Sequence, residues 1–232
     1  SLIKNLPKNS VEEIIITGSG GPFLDLPLNK FKYITPSSAV KHPNWSMGKK
    51  ISVDSSTLMN KVFEIIEAQK IFDIKINKFR ILIHPNSYVH AIVKFHNGLI
   101  KVLIHETDMK IPIFNSIYIK NDRKIKTKKI NLESLNNLNF KNVDLKKFPS
   151  VQIIKKVSNS NSLFETIIVS ANDELVNLFL EKKITYLDIS KYLNIITDLS
   201  IYSKYKRIKP VNYNQICELS KKVRLKTRSL CI

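Results

Sequence analysis

The feature that most restricts the fold is Asn97-Gly98, set between two short apolar runs, Tyr88–Phe95 and Leu99–His105. Asn-Gly readily supplies the positive backbone angles of a two-residue turn, so the two runs read as an antiparallel hairpin. Val11–Thr17 (VEEIIIT) and Phe79–Ile83 are further β-branched runs of strand length. Towards the C-terminus the period changes. Leu163–Leu180, Ile189–Tyr205 and Tyr213–Leu230 carry apolar residues at helical spacing, with cap signals at Asp188/Ser190 and Asn212/Asn214. The predicted fold class is therefore α+β: a domain with a mixed or antiparallel sheet and helices, followed by a C-terminal helical bundle. The predicted boundaries are 1–120 for the first domain, 121–150 for a linker and 151–232 for the helical domain. The linker is rich in Lys, Asn, Asp and Leu without a clear period.

Composition narrows the function classes. A chain of 232 residues with 43% hydrophobic and 25% charged residues has the mix of a folded protein. No apolar run approaches the ~18 residues of a membrane span, and SLIKNLPKNS does not read as a signal peptide. Cys217 and Cys231 form no disulfide framework or metal spacing, which points to a reducing, cytoplasmic setting. The net charge of +19 keeps a basic nucleic-acid-binding protein open as an alternative. Against it, the 38 basic residues include five Arg (Arg80, Arg123, Arg207, Arg224, Arg228) and hence 33 Lys. Arg is the side chain suited to bidentate contacts with phosphate and bases. The sequence also offers no helix-turn-helix and no interleaving of aromatic and basic residues, so the expectation is no nucleic acid.

Chemistry-bearing residues cluster in the first third. Gly18–Phe23 (GSGGPF) lacks dinucleotide-fingerprint spacing; it reads either as a backbone nest for phosphate, with Ser19 as an added donor, or as a glycine-rich turn. Lys50–Val53 reads as a brief strand, and Asp54-Ser55-Ser56-Thr57 as the cap of a helix running to Phe72. On that helix Asn60, Glu64 and Glu67 fall at i, i+4 and i+7, with Lys61 alongside. An anion-binding helix start followed by Asn-Lys and a carboxylate suits a phosphorylated substrate beside a divalent metal. The same spacing also describes an amphipathic helix with a solvated Glu-Lys face. Of the histidines, His90 reads as a hydrogen-bonded strand residue. His42 shares a loop with Trp45 and Met47 that could act as a lid.

Together, TGSGGPF (Thr17–Phe23), KHPNWSMGKKISVDSSTLMNK (Lys41–Lys61), FEIIEA (Phe63–Ala68), ILIHPNSYVHAIV (Ile81–Val93) and DMKIPI (Asp108–Ile113) resemble 1-deoxy-D-xylulose 5-phosphate reductoisomerase. The resemblance spans roughly residues 11–119, with a looser echo in Ser170–Ile189. It implies an oxidoreductase of the non-mevalonate isoprenoid route, converting 1-deoxy-D-xylulose 5-phosphate to 2-C-methyl-D-erythritol 4-phosphate with NADPH and Mg²⁺ or Mn²⁺. By motif, it implies that Ser19, Ser55, Asn60 and Lys61 bind the phosphorylated sugar and that Glu64 ligates the metal. His42, Trp45 and Met47 then form the flap over the substrate, Gly48 lies near the nicotinamide, and His90 lies near the substrate. Lys61, Glu64, His42 and His90 are the implied catalytic set. A homodimer in the cytoplasm, or in a plastid-like organelle, is the implied state of the full-length enzyme.

The sequence also departs from the family pattern. The family enzyme opens with an NADPH-binding Rossmann domain and carries an Asp-Ser-Glu metal motif ahead of TGSGGPF; neither occurs in this chain. The glycine after Asn-Lys is Val62, and the glycine before Asp108-Met109 is replaced around His105-Glu106. The expectation is a catalytic and C-terminal portion that is incomplete and inactive alone, with an inactive remnant as the alternative.

Overall fold

The structure, a computed structural model, describes residues 2–3, 7, 10–41, 47–118 and 123–232. In chain order these form β1 (Val11–Gly18), α1 (Pro36–Ala39), α2 (Lys49–Ser56), α3 (Met59–Phe72), β2 (Phe79–Ile83), β3 (Val89–Phe95) and β4 (Ile100–Ile104). There follow α4 (Lys110–Ile117), α5 (Leu132–Asn136), β5 (Lys141–Asn142), α6 (Phe164–Leu180), α7 (Tyr186–Asp198), α8 (Ser200–Ser203) and α9 (Tyr213–Cys231). Contacts divide the chain into two compact units: Ser1–Ser19 with Phe79–Val143, and Gly20–Lys78 with Asp144–Ile232. The units are thus interleaved along the chain. The helices before residue 79 share a unit with the C-terminal helices, where the sequence reading set domains in series at 1–120, 121–150 and 151–232.

The first unit is a mixed sheet in the order β4-β3-β1-β2-β5. β1 runs parallel to β2, pairing Ile14 with Phe79 and Gly18 with Ile83, and antiparallel to β3. Ile14, Ile16, Ile81 and Ile83 are buried, while Glu12 and Glu13 pair with Lys94 and Arg80. The Asn97-Gly98 hairpin forms as the sequence predicts. Gly98 sits at φ +85°, and the Phe95 N–H donates to the Leu99 carbonyl at 2.9 Å to close the turn. β5 lies in the segment read as a linker and pairs antiparallel with β2. Buried His84 helps hold it there: Nδ1–H donates to the Asn139 carbonyl at 2.8 Å, and the ring stacks on Phe140 at 4.9 Å.

The second unit is helical. α6 is its centre, with Phe164, Ile167, Ile168, Ala171, Leu175, Leu178 and Phe179 all buried. α7 and α9 pack on α6, and so does α2. Burying a Leu, Ile or Phe side chain is worth about 1.5–3 kcal/mol, so this stripe dominates the energetics of the unit. The Thr185–Asp188 capping box starts α7 at Tyr186, three residues ahead of the predicted Ile189, and Leu199 separates it from α8. α9 begins as predicted, with Asn212 Oδ1 accepting from the Gln215 N–H at 2.9 Å.

Two expectations near the site are corrected. Lys50–Val53 is helix, not strand, and the helix to Phe72 does not start at the Asp54–Thr57 cap. Ser55 and Ser56 instead complete α2, and the chain turns at Leu58, in the left-handed region at φ 59°. That conformation costs about 1–2 kcal/mol for a residue with a side chain. Leu58 is 1% exposed, and burying it offsets the strain. Thr57 stitches the corner, its Oγ1 3.1 Å from the Asp54 carbonyl and accepting from the Met59 N–H at 3.4 Å.

Candidate active site

The α2–α3 corner gathers Ser55, Asn60, Lys61 and Glu64, four of the predicted site residues. Ser55 is buried in the last turn of α2, so the serine-capped helix start expected to take an anion does not form, and Ser55 sits at a corner between two helices. One turn into α3, Lys61 Nζ grips both Glu64 oxygens, at 2.8 and 3.0 Å. The side chains are 18% and 42% exposed, and an i,i+3 pair of this kind is worth about 0.2–0.5 kcal/mol. A charge-assisted bond to a phosphorylated ligand is worth about 1.5–3 kcal/mol, so Lys61 is readily drawn away from Glu64. On the same face, at i,i+4 from Glu64, the buried Oδ1 of Asn60 has no hydrogen-bond partner among the described residues. A buried acceptor without a partner is costly and favours a donor or a cation there.

The glycine loop backs onto this corner. Gly20 and Gly21 sit at φ 86° and 64°, in and beside a single 3-10 turn. A Cβ on Gly21 would lie 3.0 Å from Ser56 Cα and 3.1 Å from the Ser55 carbonyl oxygen. Of the two readings of GSGGPF, this geometry supports a turn shaped for close packing against α2. From α7, the buried Tyr186 hydroxyl donates to the Ser56 carbonyl at 2.7 Å. Burial pushes the Tyr186 phenol far up, so it remains a donor at any physiological pH.

Behind the corner runs a charged cluster that sequence reasoning missed. Asp54, 2% exposed, accepts from Lys50 at 2.6 Å and from the Asn172 amide at 2.8 Å. Lys50 also lies 2.8 Å from Asp173, which Arg224 of α9 holds at 2.6 Å. The i,i+4 spacing of Lys50 and Asp54 was the available signal, hidden while that stretch read as a strand.

The remaining predicted residues are placed separately. Ser19 ends the first unit and is half-buried. His90 lies on β3 in that unit; Nε2–H donates to the His105 carbonyl at 3.1 Å, and the two imidazoles stack at 3.6 Å. His105 thus packs on His90 near the point where the motif expects a glycine. Met47 is half-buried and Gly48 is the exposed N-cap of α2, where an added Cβ would meet nothing within 4 Å among the described residues. His42 and Trp45 of the predicted flap lie outside the described residues. Val62, in place of the motif glycine, is fully buried in the core.

Metal and cofactor fit the residues unequally. Glu64 and Asn60 offer two oxygens on one helix face, the donor type that Mg²⁺ and Mn²⁺ prefer. Among the described residues no group of three or more His, Cys, Asp or Glu could hold a metal, so an ion held by these two would need further ligands from elsewhere. For NADPH, the bare Gly48 backbone leaves an open face, while the glycine loop opens no helix that could take a dinucleotide pyrophosphate. No helix among the described residues is long and apolar enough to cross a membrane.

Comparison with known proteins adds the family. Residues 1–72 match the 1-deoxy-D-xylulose 5-phosphate reductoisomerase C-terminal domain, and residues 104–226 match the DXP reductoisomerase C-terminal domain. The 1-deoxy-D-xylulose 5-phosphate reductoisomerase of Pelagibacter ubique is 55% identical over the whole chain, which covers 60% of that protein. That of Persephonella marina is 44% identical over 85% of this chain and 53% of its own length. The Zymomonas mobilis reductoisomerase solved with NADPH superimposes with a TM-score of 0.87 at 31% identity, covering all of this chain and 59% of that one. A DOX-P reductoisomerase solved with NADPH, fosmidomycin and magnesium gives a TM-score of 0.87 at 30% identity, over 96% of this chain and 55% of that one. The chain therefore spans little more than half the length of the relatives it matches.

Proposed function

The chain belongs to the 1-deoxy-D-xylulose 5-phosphate reductoisomerase family, and from that premise we propose that its α2–α3 corner is the substrate- and metal-facing part of such an enzyme. The observation that carries the reading is the Lys61–Glu64 pair beside the unpartnered Asn60 oxygen. Lys61 supplies a cation and Ser55 and Asn60 polar groups for a phosphorylated sugar; by the family motif, Ser19 and His90 are substrate-binding positions carried by the other unit. Glu64 supplies the carboxylate for Mg²⁺ or Mn²⁺, which when bound polarises substrate oxygens as a Lewis acid. When substrate and metal engage the corner, Lys61 and Glu64 exchange their mutual contact for separate ligands of opposite charge. Gly48 leaves room for the nicotinamide of NADPH, and His42, Trp45 and Met47 form the covering flap. The full-length protein then carries out the NADPH-dependent reductoisomerisation of 1-deoxy-D-xylulose 5-phosphate, as a cytoplasmic homodimer with no nucleic-acid role. The scarcity of Arg among its 38 basic residues supports the absence of a nucleic-acid role, and its bacterial relatives support the reaction.

The test is Lys61→Ala, with 1-deoxy-D-xylulose 5-phosphate binding followed by calorimetry. Removing a charge-assisted contact should weaken binding about ten- to a hundredfold. A change below twofold would return Lys61 to the solvated helix face. In the same preparation, residues 1–232 alone should consume no NADPH in the presence of substrate and Mg²⁺ or Mn²⁺. Steady consumption would show that the chain holds a complete site.

A further inference from the structure

Ser55 lies one residue beyond Asp54, and Asp54 is the least exposed member of a charged cluster spanning three helices. Its carboxylate meets Lys50 on its own helix at 2.6 Å and the Asn172 amide of α6 at 2.8 Å. Asp173, also on α6, holds Lys50 at 2.8 Å and Arg224 of α9 at 2.6 Å. Lys50 Nζ further lies 5.1 Å from the centre of the Phe63 ring on α3. The cluster therefore links the last turn of α2 to α6 and α9 from below, while Tyr186 and Gly21 fix the same turn through Ser56.

We propose that Asp54 is a positioning residue, holding the α2–α3 corner so that Ser55, Asn60 and Lys61 meet a phosphorylated ligand at the correct spacing. The inference rests on the reading of the corner as a substrate site. A structural role and a positioning role make different predictions because the carboxylate is costly where it sits. Burial raises the Asp54 carboxyl above its ordinary value, against the pull of Lys50 and Asn172. Partial desolvation works against the Lys50 proton, and the carboxylates of Asp54 and Asp173 overcome it, lifting the ammonium above its usual value. Because the folded carboxyl binds its proton more tightly than the unfolded one, ionising it lowers stability as pH rises through the folded value. Replacing it by the isosteric amide removes that cost while Lys50 keeps Asp173. The amide should thus spare stability and harm binding.

The experiment uses the full chain, with 1-deoxy-D-xylulose 5-phosphate as the probe, calorimetry for affinity and circular dichroism for Tm. Arg228→Ala is the control, since it removes the ion pairs from α9 to Glu174 of α6 and to Glu181, away from the corner. Asp54→Asn should bind about ten- to a hundredfold more weakly, as displacement of a binding group by about an ångström can cost. Its Tm should stay at or above that of the parent, and Arg228→Ala should lower Tm with affinity kept. As pH falls, parent affinity should drop through protonation of Asp54 beyond the drop shared with Asp54→Asn, which carries the ligand's own titration. If Asp54→Asn fails to fold, Lys50→Gln, altered at the half-exposed end of the cluster, should show the same loss of affinity. Unchanged affinity in Asp54→Asn, or a loss matched by Arg228→Ala at equal Tm, overturns the positioning role. A parent chain that binds no probe overturns the substrate-site reading instead.

Discussion

Gly21→Ala is the sharpest test of how the glycine loop is built. Gly21 is buried at φ +64°, and a Cβ there would stand 3.0 Å from Ser56 Cα and 3.1 Å from the Ser55 carbonyl oxygen. Both are backbone atoms of α2, which Tyr186 and the Asp54 cluster hold in place, so neither yields cheaply. The left-handed angle alone costs about 1–2 kcal/mol for a residue with a side chain. Overpacking against an unyielding neighbour adds about 1–3 kcal/mol. The sum is about 2–5 kcal/mol, and at about 2–4 °C per kcal/mol for a chain of this size it lowers Tm by roughly 4–20 °C. Gly20→Ala is the matched control one residue away. It shares the positive angle, at φ +86°, but its Cβ would meet Leu24 alone: Cδ1 at 2.8 Å, which can rotate aside, and Cβ at 3.1 Å, which must give by a few tenths of an ångström. It should show mainly the conformational part, about 1–2 kcal/mol, with a smaller packing cost than Gly21→Ala. Thermal unfolding of both variants by circular dichroism decides the matter. If Gly21→Ala is no less stable than Gly20→Ala, close packing on α2 is not what the second glycine is for.

Glu64→Gln should abolish turnover of the full-length enzyme and weaken Mn²⁺ binding, because a neutral amide is a poor ligand for a hard cation; electron paramagnetic resonance of free Mn²⁺ reports the loss, and unchanged metal affinity would remove Glu64 from the site. Tyr186→Phe leaves the buried Ser56 carbonyl without its donor and should cost about 1–3 kcal/mol, seen as a lowered urea midpoint at unchanged m-value. Cys231 has its thiol pushed up to about 11, first by burial and then by Asp188 and Glu174. Iodoacetamide should therefore label it slowly at pH 8 and increasingly fast towards pH 11, by mass spectrometry; rapid labelling at pH 8 would contradict its burial.

Local chemistry made much of this protein legible without coordinates. The Asn97-Gly98 turn and the cap at Asn212 are set by contacts within a few residues, the runs at Val11 and Phe79 show in their β-branched composition, and each stands where the pattern places it. Asn60, Lys61 and Glu64 share a helix face because 3.6 residues complete a turn, whatever surrounds them. Long-range contacts decided the rest. Lys50–Val53 alternates plausibly as a strand, yet Val53 is fully buried and Asp54 reaches Asn172 across 118 residues, so packing on α6 makes it a helix. Leu58 turns left-handed because burial there outweighs local strain, and no propensity of leucine foretells it. The two-residue strand Lys141–Asn142 exists through its pairing with β2, beside buried His84. The interleaving of the two units follows likewise from which apolar faces meet, α2 joining α6 more than a hundred residues away and α3 the 3-10 turn at Pro149–Lys156. Sequence determines what a few neighbouring residues prefer; the tertiary structure determines which preference wins, because burial and buried charge are properties of partners distant in the chain.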